Sequence, residues 1–336
     1  MKHYQSHKFI VDKIKTIEPK FAFHPEDDYA TWREHAREKL DELLGIPFAP
    51  CTDEFAMLAE TDADTYTQRS FEFQSEEGYF VPGEFLLPKS ATGKVPVVIC
   101  LQGHSSGKHI SLGMAKFEGD ANLLEGRDFA IQAVKEGYAA VVIDQRYMGT
   151  AGQGTSGSPG CSVAGQALPS LLIGRTAIGE RVWDVMRLID VLKAYFYEHI
   201  DEQKIVCMGN SGGGTATFYA ACLDERISLA VPSCAVCTYE ASIVELHHCA
   251  CNYVPGIRSY FNMGDLGCLI APRKLVVVCG IQDPIFPVQG VEESFAIIES
   301  GFKALGKEEN CSLIKGNGGH QFYPEAAWPV IKEMLK

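Results

Sequence analysis

Basic residues are scarce in this 336-residue chain: 30 lysines and arginines stand against 43 aspartates and glutamates, a formal net charge of −13. Nucleic acid and anionic membrane surfaces both require a basic face, so neither is an expected partner. Long apolar runs are missing too. Nothing approaches the ~18 consecutive apolar residues of a membrane span. The opening stretch, MKHYQSHKFIVDKIKTIEPKF, has no apolar run of the kind that marks a secretory signal, and a cytoplasmic location is the expectation. There is no internal repeat and no low-complexity linker. What remains is an ordinary globular composition, 46% hydrophobic and 22% charged, in a chain long enough for one large α/β domain or two smaller ones.

Cysteine, by contrast, is plentiful, with 12 residues. Cys100, Cys207 and Cys279 fall inside apolar strand patterns, where a thiol acts as a small hydrophobe, so a secreted disulfide framework is not expected. The pairs Cys234/Cys237 and Cys249/Cys251, the second preceded by His247 and His248, resemble a zinc ligand set. The gap between Cys237 and His247 is short for one, and Cys-x-Cys is not its usual second half. No metal and no organic cofactor is therefore expected.

Residues 1–65 read as a helical extension packed on a main domain of residues 66–336. Within it, Tyr29, Trp32, Ala36, Leu40 and Leu43 recur at helical spacing, and Gly45-Ile46-Pro47 ends the run. From Tyr66 to Leu87 the pattern alternates around the polar turn Glu76-Glu77-Gly78, which predicts an antiparallel pair. Val95–Leu101 is a continuous apolar run, as in a strand buried on both faces. Strands and helices then alternate: strands over 138–143, 205–208, 227–232, 275–280 and 311–314, and helices over 177–197, after Ser211, over 291–305 and from Pro324. That rhythm predicts an α/β fold, a mainly parallel sheet with antiparallel edge strands and helices on both faces. The glycine- and serine-rich stretch Gly149–Gly165 follows a strand end and is either a surface connection or part of a site rim.

One stretch organises the rest. Lys204–Leu223, KIVCMGNSGGGTATFYAACL, reads as strand, glycine-rich turn and helix, with Gly209-Asn210-Ser211-Gly212-Gly213 matching G-x-S-x-G at the turn. A serine there is held up on a sharp bend, and the Gly212 amide at the helix start can face developing negative charge. A hydroxyl is a poor nucleophile without a base and an acid to orient that base. Asp283, just past the 275–280 strand, and His320, in Gly318-Gly319-His320 past the last strand, are the candidates. Strand ends of a parallel sheet open on one edge, and Ser, Asp, His is the chain order that α/β-hydrolases use. The other histidines are less well placed, and His104 and His109 precede the serine. After the 95–101 strand, Gly103 permits a tight turn that exposes the amide of His104, the expected second oxyanion donor. Ser105 is the fallback. Asp144 and Arg146 are either substrate contacts or, more plainly, a local ion pair holding their loop.

With these residues in place the chain resembles the α/β-hydrolase superfamily, and within it the branch similar to dienelactone hydrolases and acetyl xylan esterases. The likeness runs from about Phe71 to the C-terminus and rests on VVICLQGH, VVIDQRYMG, GERVWDVMRLIDVL, CMGNSGGG, VPGI, LIAPRKLVVVCGIQDPIFPV and GNGGHQFYPE. It implies Ser211 as nucleophile, Asp283 as acid, His320 as base, and His104 and Gly212 as oxyanion donors. Gln102 departs from the His-Gly pair of many relatives, which leaves the backbone donors unaffected. Dienelactone hydrolases carry cysteine at the nucleophile, so Ser211 disfavours a lactonase of that type. The expected activity is cleavage of carboxylic esters, on acetylated carbohydrate or other small esters. A serine peptidase and a non-catalytic binding protein on the same fold are the alternatives. Oligomeric state is not legible.

Overall fold

The computed structural model describes residues 4–49, 51–152 and 166–336. Two helices come first. In α1 (Ser6–Ile14) only Val11 is buried. In α2 (Tyr29–Leu44), Trp32, Ala36, Leu40 and Leu44 form one apolar stripe four residues apart. Asp28 caps its start by accepting from the Ala30 amide, and Gly45, at φ 76°, ends it in the left-handed region.

Strands β1 (Phe55–Asp62), β2 (Tyr66–Glu76), β3 (Tyr79–Pro88), β4 (Val95–Leu101), β5 (Ala139–Ile143), β6 (Ile200–Asn210), β7 (Ile227–Ser233), β8 (Lys274–Gly280) and β9 (Cys311–Gly316) form a single sheet in the order β1-β2-β3-β5-β4-β6-β7-β8-β9. β1, β2, β3 and β5 pair antiparallel, and every pair from β5 to β9 is parallel. The antiparallel edge, the parallel body and the 2–3 turn at Gly78 match the sequence pattern. β1 does not. It lies within the stretch expected to be helical, and it was missed because it is an outer strand, exposed over most of its length, with no buried face to impose alternation.

The remaining helices are α3 (Phe129–Lys135), α4 (Ala177–Tyr195), α5 (Gly212–Leu223), α6 (Met263–Cys268), α7 (Val288–Ala304) and α8 (Pro324–Leu335). The short α3 and α6 were not anticipated. Successive strand residues feed opposite cores: Val97, Ile99, Cys207, Val277 and Cys279 pack with α2, α4, α5 and α7, while Val98, Cys100, Met208, Val276 and Val278 pack with α3 and α8. Burial on both faces explains why these strands read as unbroken apolar runs. The α2 stripe belongs to the first core, so α2 shares its apolar face with the sheet's own helices. Among the described residues no helix is long and apolar enough to cross a membrane.

β5 lies on one side of β4 and β6 on the other, so the chain changes direction at the β4/β6 pair. A crevice outside the C-terminal strand ends forms at such a switch. Gly103-His104 and Ser211 sit there.

Candidate active site

Ser211 joins β6 to α5 at φ 56°, ψ −124°, a conformation costing a non-glycine residue on the order of 1–3 kcal/mol. The Ser211 amide donates to Ser233 O at 2.9 Å, and its carbonyl accepts from Thr215 N at 2.8 Å, which holds the strained turn from both sides. Its neighbours have no room for side chains. A Cβ on Gly209 would meet the Gly213 and Leu101 backbones, and one on Gly213 would collide with Leu101 O and Gln102 O. The small positions of the motif therefore reflect the approach of α5 to β4 and β6. Gly103 is packed onto the elbow as well, its would-be Cβ 2.9 Å from Asn210 O and 3.2 Å from Ser211 Cβ. The backbone at Gly103 thus runs beside the serine. The Gly212 amide lies in the first turn of α5, where amides have no intrahelical acceptor.

Two further loops are laced together. Ile281 N donates to Gly316 O at 3.0 Å and Gln282 N to Gly318 O at 2.8 Å, which carries the β8 end alongside the β9 end. Asp283 and His320 meet as a result, with Nδ1 2.8 Å from Oδ2. The other oxygen, Oδ1, accepts from Ile285 N at 2.8 Å and Phe286 N at 3.1 Å, so the carboxylate cannot turn. Burial opposes its charge, but the His320 bond and these two amides outweigh that and hold the Asp283 pKa below its usual value. An ionised carboxylate only accepts, so Nδ1 carries the proton and Nε2 is left with a lone pair. The Phe286 ring stacks on His320 at 5.9 Å and 15°.

Ser211, His320, His104 and Gly212 line one cleft of about 260 Å³. Its wall also includes Arg127, Asn252, Phe286 and His248. Arg127 and Asn252 carried no sequence signal, whereas Phe286 lies in the quoted GIQDPIFPV segment and His248 was weighed only as part of a zinc-like set. His248 stays neutral. Burial, followed by the nearby His320 and His104, pushes it down to about 4. Its partner Ser242 donates to Ile285 O at 2.7 Å and so accepts from His248 Nε2 at 3.0 Å.

Other sequence candidates sit elsewhere. Asp144 accepts from Lys108 N and from Thr150, and Arg146 clamps Asp184 with two bonds of 3.0 Å and meets Glu76 at 2.6 Å. Each holds loop structure, but through partners other than the one expected. The Cys234/Cys237 and Cys249/Cys251 pairs do not form one ligand set. Cys234 lies by Gln321 O, Cys237 by Pro287 O, and Cys249 and Cys251 group with His104. Most of the Gly149–Gly165 stretch lies outside the described residues.

A parallel sheet with helices on both faces and a serine elbow at its switch point is that of an α/β-hydrolase. The chain belongs to the Abhydrolase family, whose model matches residues 1–303. It is 24% identical over 293 residues, 86% of this chain and 94% of the relative, to YtaP of Bacillus subtilis (strain 168), a protein assigned as a hydrolase. Among solved structures it is similar to a Bacteroides fragilis NCTC 9343 protein assigned as an acetyl xylan esterase, with a TM-score of 0.76 at 20% identity, covering 94% of this chain and 83% of that one. It is also similar to a glucuronoyl esterase from Solibacter usitatus, with a TM-score of 0.72 at 13% identity, covering 96% and 99%.

Proposed function

We propose that this protein is a serine esterase in which Ser211 is the nucleophile, His320 the base and Asp283 the residue that orients it. The observation that carries the reading is His320, held through Nδ1 by an Asp283 whose Oδ1 is tied to two amides, lining the same small cleft as the strained serine. His320 takes the Ser211 proton as the hydroxyl attacks an ester carbonyl. The amides of His104 and Gly212 receive the oxyanion, His320 protonates the departing alcohol, and water repeats the sequence on the acyl-enzyme.

Substrate class follows from size and lining. A cleft of about 260 Å³ suits a short acyl group, and Arg127 and Asn252 offer donors to an oxygen-rich alcohol such as a sugar. The esterases among the structural neighbours act in this direction, and an acetylated carbohydrate or a comparable small ester is the proposed substrate. The test is turnover of acetylated sugars and short nitrophenyl esters by the wild type and by Ser211→Ala, with fluorophosphonate labelling. The variant is expected to lose about 10⁴-fold or more in kcat and all labelling. A variant that keeps most of its turnover removes Ser211 from the mechanism.

A further inference from the structure

Beside the cleft, three side chains with soft or borderline ligand atoms meet from distant parts of the chain. His104 Nε2 lies 3.2 Å from Cys251 Sγ, and Cys251 Sγ lies 3.3 Å from Cys249 Sγ. All three ligand atoms fall within 4.8 Å of one another. The residues come from two segments, the turn after β4 and the Ala250–Asn252 turn, about 145 positions apart, so no local motif brings them together. The thiol of Cys251 is buried in a small apolar cluster with Ala167 and Ala177. We infer that the side chains of His104, Cys249 and Cys251 form a metal site that takes Zn²⁺, distinct from the Ser211, Asp283 and His320 side chains.

Three observations support the choice of metal. Two thiolates and an imidazole are a donor set for zinc and a poor one for magnesium or calcium. Tetrahedral zinc, with bonds of about 2.3 Å to sulfur and 2.0–2.1 Å to nitrogen, separates two sulfurs by about 3.8 Å and a sulfur from a nitrogen by about 3.6 Å. The His104–Cys251 and Cys251–Cys249 spacings of 3.2 and 3.3 Å lie within about half an ångström of these values, and the third pair lies within 4.8 Å. Binding replaces the two thiol protons, which are released to solvent, and the two thiolates neutralise the cation. Zinc then has three of its four ligands, and water or a further donor takes the fourth.

The site also has a consequence for the cleft. The His104 ring already rests on the first residue of α5: a Cβ added to Gly212 would come within 2.7 Å of its Cε1. A metal on Nε2 pins that ring, and with it the 103–104 backbone, to the 249–251 segment. This second effect rests on the esterase reading; the metal site itself does not.

The alternative fate of the same sulfurs is a Cys249–Cys251 disulfide, and the experiment separates the two. Purified wild-type protein is loaded with zinc sulfate, gel-filtered and analysed for metal, and in parallel titrated with Co²⁺. About one zinc per chain is expected, unaffected by excess Mg²⁺, together with a thiolate-to-cobalt charge-transfer band in the near ultraviolet. The double variant C249S/C251S loses both, while Cys234→Ser keeps both, which rules out zinc held by the Cys234, Asp283 and His320 group. The cobalt band on wild-type protein stands even if the double variant fails to fold. No retained zinc, retention unchanged in the double variant, absence of the cobalt band, or thiol titration showing Cys249 and Cys251 joined to each other would each overturn the proposal. Loss of labelling at Ser211 with zinc binding intact would overturn the esterase reading and leave this one standing.

Discussion

Among the described residues two groupings of serine, histidine and aspartate can be set side by side, and their hydrogen bonds are ordered differently. Behind the cleft, one oxygen of Asp283 accepts from two amides and the other from His320 Nδ1, so the far nitrogen of the ring remains available. In the loop after β4, Asp120 accepts from the Ser106 hydroxyl, the His109 Nε2 and the amides of Lys116 and Phe117. There the serine donates to the acid directly, and the single nitrogen His109 Nε2 faces both Ser106 Oγ at 3.0 Å and Asp120 at 2.8 Å. No base is left over for that hydroxyl. The residue types are the same, and the order of the hydrogen bonds decides whether they form a relay or a staple.

The largest expected effect that tests this contrast is Asp283→Asn. The amide can offer Nδ1 a donor where it needs an acceptor, which favours the wrong imidazole tautomer. A loss of about 10⁴-fold in kcat per folded molecule is expected, far more than any loss of stability explains, measured by ester turnover and calorimetry. Asp120→Asn should do the reverse. It weakens a carboxylate that accepts four hydrogen bonds, so stability falls by about 1.5–3 kcal/mol in urea titration while turnover per folded molecule holds. A large drop in turnover without a stability change would erase the distinction.

Acid offers a finer comparison. Burial works against the Asp120 charge, but its bonds to Ser106, His109 and the two amides outweigh that and lower its pKa from 3.8 to about 2. As pH falls, the unfolded chain therefore takes up this proton first. The stability that Asp120 contributes is intact above about pH 4 and is lost between about pH 4 and 2, so wild type and Asp120→Asn should converge over that range in urea midpoints. The smallest effect belongs to Ser106→Ala. It is expected to cost about 1 kcal/mol and to leave fluorophosphonate labelling at Ser211 untouched.

Much of the fold was legible because its physics is local or periodic. The central residues of β4 to β8 are buried on both faces and read as apolar runs, β9 is only partly buried, and Ser211, Asp283 and His320 follow β6, β8 and β9. α2 showed its stripe and its glycine stop. What could not be read follows the same logic in reverse. β1 is exposed and carries no alternation, and the seven residues of α3 are too few to establish a period. The pairing of Arg146 with Asp184, and the grouping of Cys249 and Cys251 with His104, depend on neighbours far away in sequence. The cysteine pairs invited a linear reading as one zinc motif, whereas the chain brings half of that motif to a histidine 145 positions earlier.

The position of His320 has a consequence for the order in which the protein becomes competent. It lies between the last strand and α8, whose Ala327, Trp328 and Ile331 cover one face of the sheet. A nascent or shortened chain that ends before β9 carries the elbow and Asp283, yet it has neither the imidazole nor the lid of apolar side chains over β6 and β8. On the esterase reading, activity therefore depends on the segment that seals the hydrophobic layer, because the proposed proton acceptor directly precedes it.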